Sequence, residues 1–220
     1  MLALAWSGGK DSALALEALR ESGRGPDMLM STVDRARSVV PHHEVPIELL
    51  RRQASAAGLP LVEVDLPTGS ENETYEERMR AAFAGPLADV MTVAFGDLFL
   101  ADLRRYREDR LREAGRDALF PLWGRDTRHL ARDFARRYRA VVCSVDRELV
   151  GREPCPGADF DERFLESLPA TADPCGERGE FHTFVHDGPV FGEPIPLRIG
   201  DASESEDGRF AHVRLAPGQA

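Results

Sequence analysis

The segment Leu2-Ala3-Leu4-Ala5-Trp6 is apolar at every position and stops at Ser7-Gly8-Gly9. Beyond it Leu14, Ala18 and Leu19 recur on one helical face until Gly23, so the chain opens as a strand, a glycine loop and a helix. Met28 to Val33 predicts a second strand. Pro46, a favoured first helical residue, introduces a helix carrying Ile47, Leu50, Ala54 and Ala57 on one side and ended by Gly58. Leu61 to Leu66 predicts a third strand. Ser70-Glu71-Asn72-Glu73 has capping-box spacing ahead of a helix through Ala84. Val90 to Phe95 is almost unbroken apolar sequence, which suits a strand covered on both faces. A charged helix from Leu103 to Ala114 and a short apolar segment, Ala118 to Leu122, complete the pattern. Five strands alternating with helices predict an α/β fold with a parallel, doubly wound sheet and right-handed crossovers.

After Trp123-Gly124 the texture changes. One helix is predicted from Thr127 to Arg137 and one strand from Ala140 to Val145, followed by loops rich in Pro and Gly. Asp159-x-x-Glu162 predicts a capped short helix with Phe160, Phe164 and Leu168, Phe181 to Val185 a strand, and Ala202 to Asp207 a polar surface segment. A domain boundary is expected near residue 121, dividing the chain into an α/β domain over residues 1–120 and a smaller α+β domain over 121–220. There is no internal repeat.

Charge narrows the function classes. Thirty-eight acidic against 28 basic side chains give a net charge of −10 over 220 residues. This argues against a general nucleic-acid binder, whose affinity comes from Lys and Arg displacing counterions. A chain of this length buries roughly 70% of its unfolded surface and needs no staples. Cys143, Cys155 and Cys175 are odd in number and form no C-x-x-C pair, so neither a disulfide framework nor a zinc site is expected. No apolar window reaches a membrane span, and a cytosolic protein is expected. Oligomeric state leaves no pattern to read.

Of the 28 basic residues only Lys10 is lysine. A compact ammonium on a flexible stem differs from a guanidinium in reach and geometry, and work close around a phosphate chain favours the former. Lys10 also lies in the glycine loop, where free backbone NH groups and the positive end of a helix dipole converge on an anion. Gly8 and Gly9 admit close backbone approach, Ser7 and Ser12 offer hydroxyls, and Asp11 can hold Mg²⁺ or orient the loop. The loop is too short for G-x-x-x-x-G-K-[ST] and lacks G-x-G-x-x-G. As a solvent-facing residue, Lys10 should be replaceable without loss of the fold.

Other candidates sit further on. Gly96-Asp97 follows the fourth predicted strand at the edge where open α/β sheets bind ligands. Asp97 there reads either as a holder of Mg²⁺ or ammonium, or as a helix N-cap. Arg104, Tyr106, Arg107 and Glu108 share a helix too charged to be all core, and Arg107 suits a carboxylate. Glu177 and Glu180 flank a glycine beside His182 and Thr183, offering carboxylates and an imidazole on adjacent backbone, any of which could take a proton. His42-His43 suggests a metal, with no third ligand at suitable spacing.

Ser7 to Ser12, SGGKDS, resembles the pyrophosphate loop of the N-type ATP pyrophosphatases, which cleave ATP between the α and β phosphates. Phe95 to Glu108, Phe120-Pro121-Leu122-Trp123-Gly124 and the segment from Asp173 to Phe191 look like the successive motifs of the diphthine-ammonia ligase family. Together these matches run from residue 6 to about residue 191. The resemblance implies a five-stranded fold of the adenine-nucleotide α-hydrolase type and an AMP-forming ligase. ATP and Mg²⁺ would be its cofactors, and ammonium and a carboxylate its substrates. The carboxylate is diphthine on the translation elongation factor, or a small molecule in cofactor salvage if the source is bacterial. It further implies nucleotide binding by Ser7 to Ser12, Val33, His43, Gly96 and Asp97. Substrate contacts fall to Arg104, Tyr106, Arg107, Glu108, Trp123 and Thr183, and catalysis to Lys10, Asp11, Glu177, Glu180 and His182. His43-Glu44-Val45 departs from the family's His-Gly-Val, which weakens a backbone-approach role at Glu44.

Two other classes use similar loops. A tRNA-thiolating enzyme calls for basic surface and a cysteine pair, both missing from this sequence. A nucleotide-sensing module calls for no long motif outside the loop, whereas Asp173 to Phe191 is dense in reactive side chains.

Overall fold

A computed structural model describes residues 1–41 and 43–219. In chain order the elements are β1 (Leu2–Ala5), α1 (Lys10–Glu21), β2 (Met28–Val33), β3 (Val39–Val40), β4 (Val45–Pro46), α2 (Ile47–Ala57), β5 (Leu61–Asp65), α3 (Asn72–Ala84) and β6 (Thr92–Ala94). They continue with α4 (Ala101–Glu113), β7 (Asp117–Leu119), α5 (Thr127–Arg137), β8 (Arg139–Asp146), α6 (Arg147–Val150), α7 (Glu162–Ser167), β9 (Phe181–Asp187), β10 (Leu197–Glu204) and β11 (Phe210–Pro217).

The first sheet has the order β5-β2-β1-β6-β7 and is parallel throughout. Its two faces follow from the alternation of side chains along each strand. Leu4, Leu29 and Ala94 join α1 and α2 in one apolar cluster, whereas Ala3, Met28, Met30 and Val93 join α3 and α4 in another. Both faces are therefore covered by helices, as the continuous apolar strands require.

The second sheet, β10-β11-β8-β9, is antiparallel. It is seated on β4 and α2 through Val45 and Leu49, which share a cluster with Val141, Cys143, Phe184 and Leu215. Gln53 of α2 is fully buried and ties the halves together: its amide donates to the carbonyls of Gly8 and Val185, and its oxygen accepts from the Trp6 indole. The Val185 amide in turn donates to the Gly8 carbonyl at 2.9 Å. The antiparallel sheet thus abuts the glycine loop through main-chain bonds.

Several local expectations change. The strand expected over Val90 to Phe95 is only Thr92–Ala94, because Val90 closes a turn onto Leu87. Of the segment Ala118 to Leu122 only Ala118 and Leu119 join the sheet, in β7 (Asp117–Leu119). The expected capping box is not formed: Glu71 is the N-cap of α3 and its side chain makes no cap bond. Asp161, not Asp159, caps α7 by accepting from Phe164, while Asp159 bridges to Val141. Part of the segment expected as polar surface, Ala202 to Glu204, belongs to the exposed strand β10. Among the described residues, no helix is long and apolar enough to cross a membrane.

Candidate functional site

A cavity of about 420 Å³ opens at the carboxyl ends of β1, β2 and β6. Its walls are the glycine loop and first turn of α1, Met30 to Thr32 of β2, Gly96-Asp97 after β6, and the turn running from Gly176 into β9.

The glycine loop is built mainly by packing. Gly8 has φ +81°, and a Cβ there would lie 2.7 Å from Gln53 Oε1 and 2.9 Å from Leu50 Cδ1. Gly8 is thus demanded by the helix behind it, and it does not line the cavity. Gly96 lets the β6 loop approach α1, since a Cβ would come within 2.8 Å of the Asp11 carbonyl group. The expected serine donors both line the cavity: the Ser12 hydroxyl is spent on the Gly9 carbonyl at 2.8 Å, while Ser7 Oγ accepts from the Gly9 amide at 3.3 Å and keeps its proton to donate. The Lys10 amide donates to Thr183 Oγ1 at 3.0 Å, so Thr183 braces the loop from the second sheet. Helix α1 has no side-chain cap. Its uncapped start is the geometry that receives an anion.

Lys10 does not face solvent. It is the first residue of α1, it is 2% exposed, and its Nζ lies 2.8 Å from both carboxylate oxygens of Asp11. Burial opposes its charge, but the carboxylate of Asp11, with help from Cys175 and Glu177, outweighs it and raises the lysine pKa. The ammonium is therefore held charged at the cavity floor. The expectation of a freely replaceable loop residue is corrected: removing the ammonium strands the Asp11 carboxylate beside it.

The turn before β9 separates the two glutamates. Glu180 is 2% exposed, and its oxygens accept the amides of Asp173 at 2.8 Å and Arg178 at 2.9 Å. It does not line the cavity, which corrects its placement among proton-transfer groups: both oxygens are occupied in folding the turn. Asp173 acts likewise on the amides of Cys175 and Glu177. Glu177 does line the cavity. One oxygen accepts the amides of Leu98 at 2.7 Å and Phe99 at 3.4 Å. Burial, reinforced by the charges of Asp11 and Asp97 and opposed by these amide bonds, raises its pKa to about 7.

Asp97 is not an N-cap, a position taken by Leu100. Its carboxylate pairs with Arg107, Nε to Oδ2 at 2.8 Å, and the guanidinium lies over Phe95, 4.3 Å from the ring centroid. Burial raises the Asp97 pKa while Arg107 opposes the shift. Of the other expected substrate contacts Thr183 lines the cavity, and Arg104, Tyr106, Glu108 and Trp123 lie elsewhere. Arg104 pairs with Glu108 and stacks over Phe120 and Trp123 outside the cavity walls, because α4 turns that face away. Tyr106 borders a second, smaller cavity, and Val33 is buried core.

His43 and His182 line the cavity with their rings 4.4 Å apart between centroids. His42, the other half of the suspected metal pair, lies outside the described residues. Among the described residues, no group of three or more His, Cys, Asp or Glu could hold a metal ion. Glu44, where the resembled motif has glycine, has φ +55° and is held by a two-pronged ion pair with Arg37. The backbone keeps the glycine-type conformation without the glycine.

Sequence reasoning missed Ser31, Thr32, Val40, Pro41 and Tyr75, all of which line the cavity. The position of Ser31 and Thr32 at the end of a central strand was the available signal. Tyr75 and Gln53 gave none, since only tertiary packing brings them in.

A search of curated proteins returned no match. The family model of the diphthamide synthase N-terminal domain matches residues 1–117, and that of the C-terminal domain matches residues 126–214. With both models matched in order along the chain, the protein belongs to the diphthamide synthase family.

Proposed function

We propose that the protein is an AMP-forming ligase that joins ammonia to a carboxylate at the expense of ATP. The observation that carries this reading is the pairing across one cavity of a buried, charged Lys10 at an uncapped helix start with a glutamate that titrates near neutrality.

In the first step a carboxylate oxygen attacks the α phosphorus of ATP, the bond to the bridging oxygen breaks, and pyrophosphate leaves with the electron pair. Negative charge gathers on that leaving group, so fixed NH dipoles and Lys10 stabilise the transition state more than the bound nucleotide. Lys10 would exchange Asp11 for the phosphates. Asp11, released, fits the usual way Mg²⁺ is held, by one or two carboxylates together with the nucleotide's own phosphates. When bound, Mg²⁺ supplies charge neutralisation.

In the second step ammonium gives a proton to the Glu177 carboxylate, and the free amine attacks the acyl carbon. AMP departs with the electron pair of the broken acyl–oxygen bond, and the nitrogen's extra proton goes to solvent. A base with a pKa of about 7 is well matched to this work. His182 and His43 then stand as wall residues on the nucleotide side.

The test is nucleotide product analysis with ATP, Mg²⁺, ammonium and a pool of carboxylates. AMP and pyrophosphate that depend on one pool support the ligase; ADP and phosphate would refute it.

A further inference from the structure

The peptide joining Gly8 to Gly9 is held by little of its own sterics. Gly8 has φ +81°, and Gly9 has φ −89° with ψ 175°. Turning that peptide plane over changes only ψ of the first residue and φ of the second. At Gly9 the turn carries φ to positive values, which glycine adopts about as readily as negative ones. For an anion the two orientations are opposites, because the carbonyl and the N–H of a planar trans peptide point opposite ways. In one the Gly9 N–H faces the cavity; in the other the Gly8 carbonyl does.

Hydrogen bonds behind the loop choose between them. The Gly8 carbonyl accepts from the Val185 amide at 2.9 Å and from Gln53 Nε2 at 2.9 Å. The other Nε2 proton goes to the Val185 carbonyl at 2.5 Å. Which end of the Gln53 amide is oxygen is set by Trp6, whose indole N–H only donates and reaches Oε1 at 3.0 Å. With the Gly8 carbonyl held on the α2 side, the Gly9 N–H points to Ser7 Oγ at 3.3 Å, a long bond between two residues of the cavity wall.

The structure assigns Gln53 as the positioning residue of the glycine loop. Its carboxamide locks the Gly8–Gly9 peptide so that the loop offers a donor, not a carbonyl, to the pyrophosphate portion of the nucleotide. Gln53 is fully buried and does not line the cavity, so it acts through Gly8 alone. The lock explains why a polar side chain interrupts the buried face of α2 formed by Ile47, Leu50, Ala54 and Ala57. It deepens the ligase reading and rests on that reading's use of the loop as the pyrophosphate site.

The experiment measures binding of inorganic pyrophosphate, ATP and AMP, each with Mg²⁺, to the full-length protein by calorimetry, with AMP formation followed in parallel. Gln53→Met keeps the volume and removes both donors. It should weaken pyrophosphate and ATP about tenfold, near the size of one hydrogen bond to a charged group, and leave AMP unchanged. Gln53→Glu keeps the acceptor for Trp6 and gives a second, independent reading. Ionised, the introduced carboxyl repels the two carbonyls it faces; protonated, it donates to one of them. Burial raises the pKa of such a group, so the deficit in pyrophosphate affinity against wild type should shrink as pH falls from about 8 to about 6. Leu49→Ala, an equally buried α2 side chain packed on the second sheet, should lower thermal stability without changing the ratio of ATP to AMP affinity.

An unchanged ATP-to-AMP ratio in Gln53→Met, equal weakening of AMP and pyrophosphate, or a Gln53→Glu deficit that does not shrink on acidification would each overturn the lock. Wild-type protein that binds no pyrophosphate would overturn it together with the loop assignment. Selective loss of pyrophosphate binding in a protein that forms no AMP would leave the lock standing and sink the ligase reading. Normal AMP formation with an unchanged ratio would do the reverse.

Discussion

Two segments face each other across the main cavity, residues 7–12 and residues 173–183, and they are built on opposite plans. In the first, the chemistry is contiguous: glycines, lysine and aspartate follow one another at a strand-to-helix junction. In the second, acidic residues of similar appearance divide the labour. Asp173 and Glu180 spend their oxygens on backbone amides, and Glu177 alone lines the cavity. Glu177 also accepts two amides, but through one oxygen only, which leaves the other for the cavity, whereas Glu180 has both oxygens bonded within its turn. Glu177, buried at the cavity wall and near Asp11, is the one whose pKa is raised.

The contrast can be broken most severely at Lys10. Lys10→Met keeps the buried stem and removes the ammonium, and should lower AMP formation by about a thousandfold, in line with the loss of a preorganised charge stabiliser. Near-normal turnover would remove the glycine loop from the chemistry.

Next in size is Glu180→Gln, which leaves one turn amide facing an NH₂ group. Unfolding in urea should show a loss of about 2–3 kcal/mol, as for a buried charge-assisted bond, while the folded protein still binds ATP. Unchanged stability with lost amide formation would return Glu180 to the chemistry.

Glu177→Gln should behave in the opposite way. A carboxyl whose folded pKa is raised from 4.5 to about 7 binds more protons folded than unfolded between those values, so wild-type stability falls as pH rises through that window. The variant should therefore melt higher than wild type at about pH 8 and lose that advantage at about pH 4. It should also lose the rise of amide formation around pH 7. A wild-type profile that follows only the ionisation of ammonium itself would exclude Glu177 as base.

The smallest effect is expected at Glu44. The left-handed conformation costs a residue with a Cβ roughly 1–2 kcal/mol, and an exposed ion pair returns about 0.2–1 kcal/mol. Glu44→Ala keeps the strain and loses the pair, so it should destabilise more than Glu44→Gly; the reverse order by thermal melting would discount the φ argument.

These differences also mark what the sequence could say. The parallel sheet was legible because its strands are apolar and its helices periodic, and β2, α2 and α5 fall where the pattern puts them. The glycine loop was legible because its function is local. What escaped was set by residues distant in sequence: Thr183 bonding the Lys10 amide, Gln53 forcing Gly8, and Tyr75 and Arg107 closing the wall between two cavities. The bond of the Ser12 hydroxyl to the Gly9 carbonyl, and the burial of Lys10, are likewise products of packing that no spacing rule encodes.

The most direct test of the account follows oxygen. A carboxylate that supports AMP release is labelled with heavy oxygen at both positions and incubated with ATP, Mg²⁺ and ammonium, and the AMP is analysed by mass spectrometry. Attack of the carboxylate on the α phosphorus predicts AMP carrying one labelled oxygen and an amide retaining the other. Unlabelled AMP would mean that water, not the carboxylate, attacks the phosphorus, and would contradict the ligase mechanism.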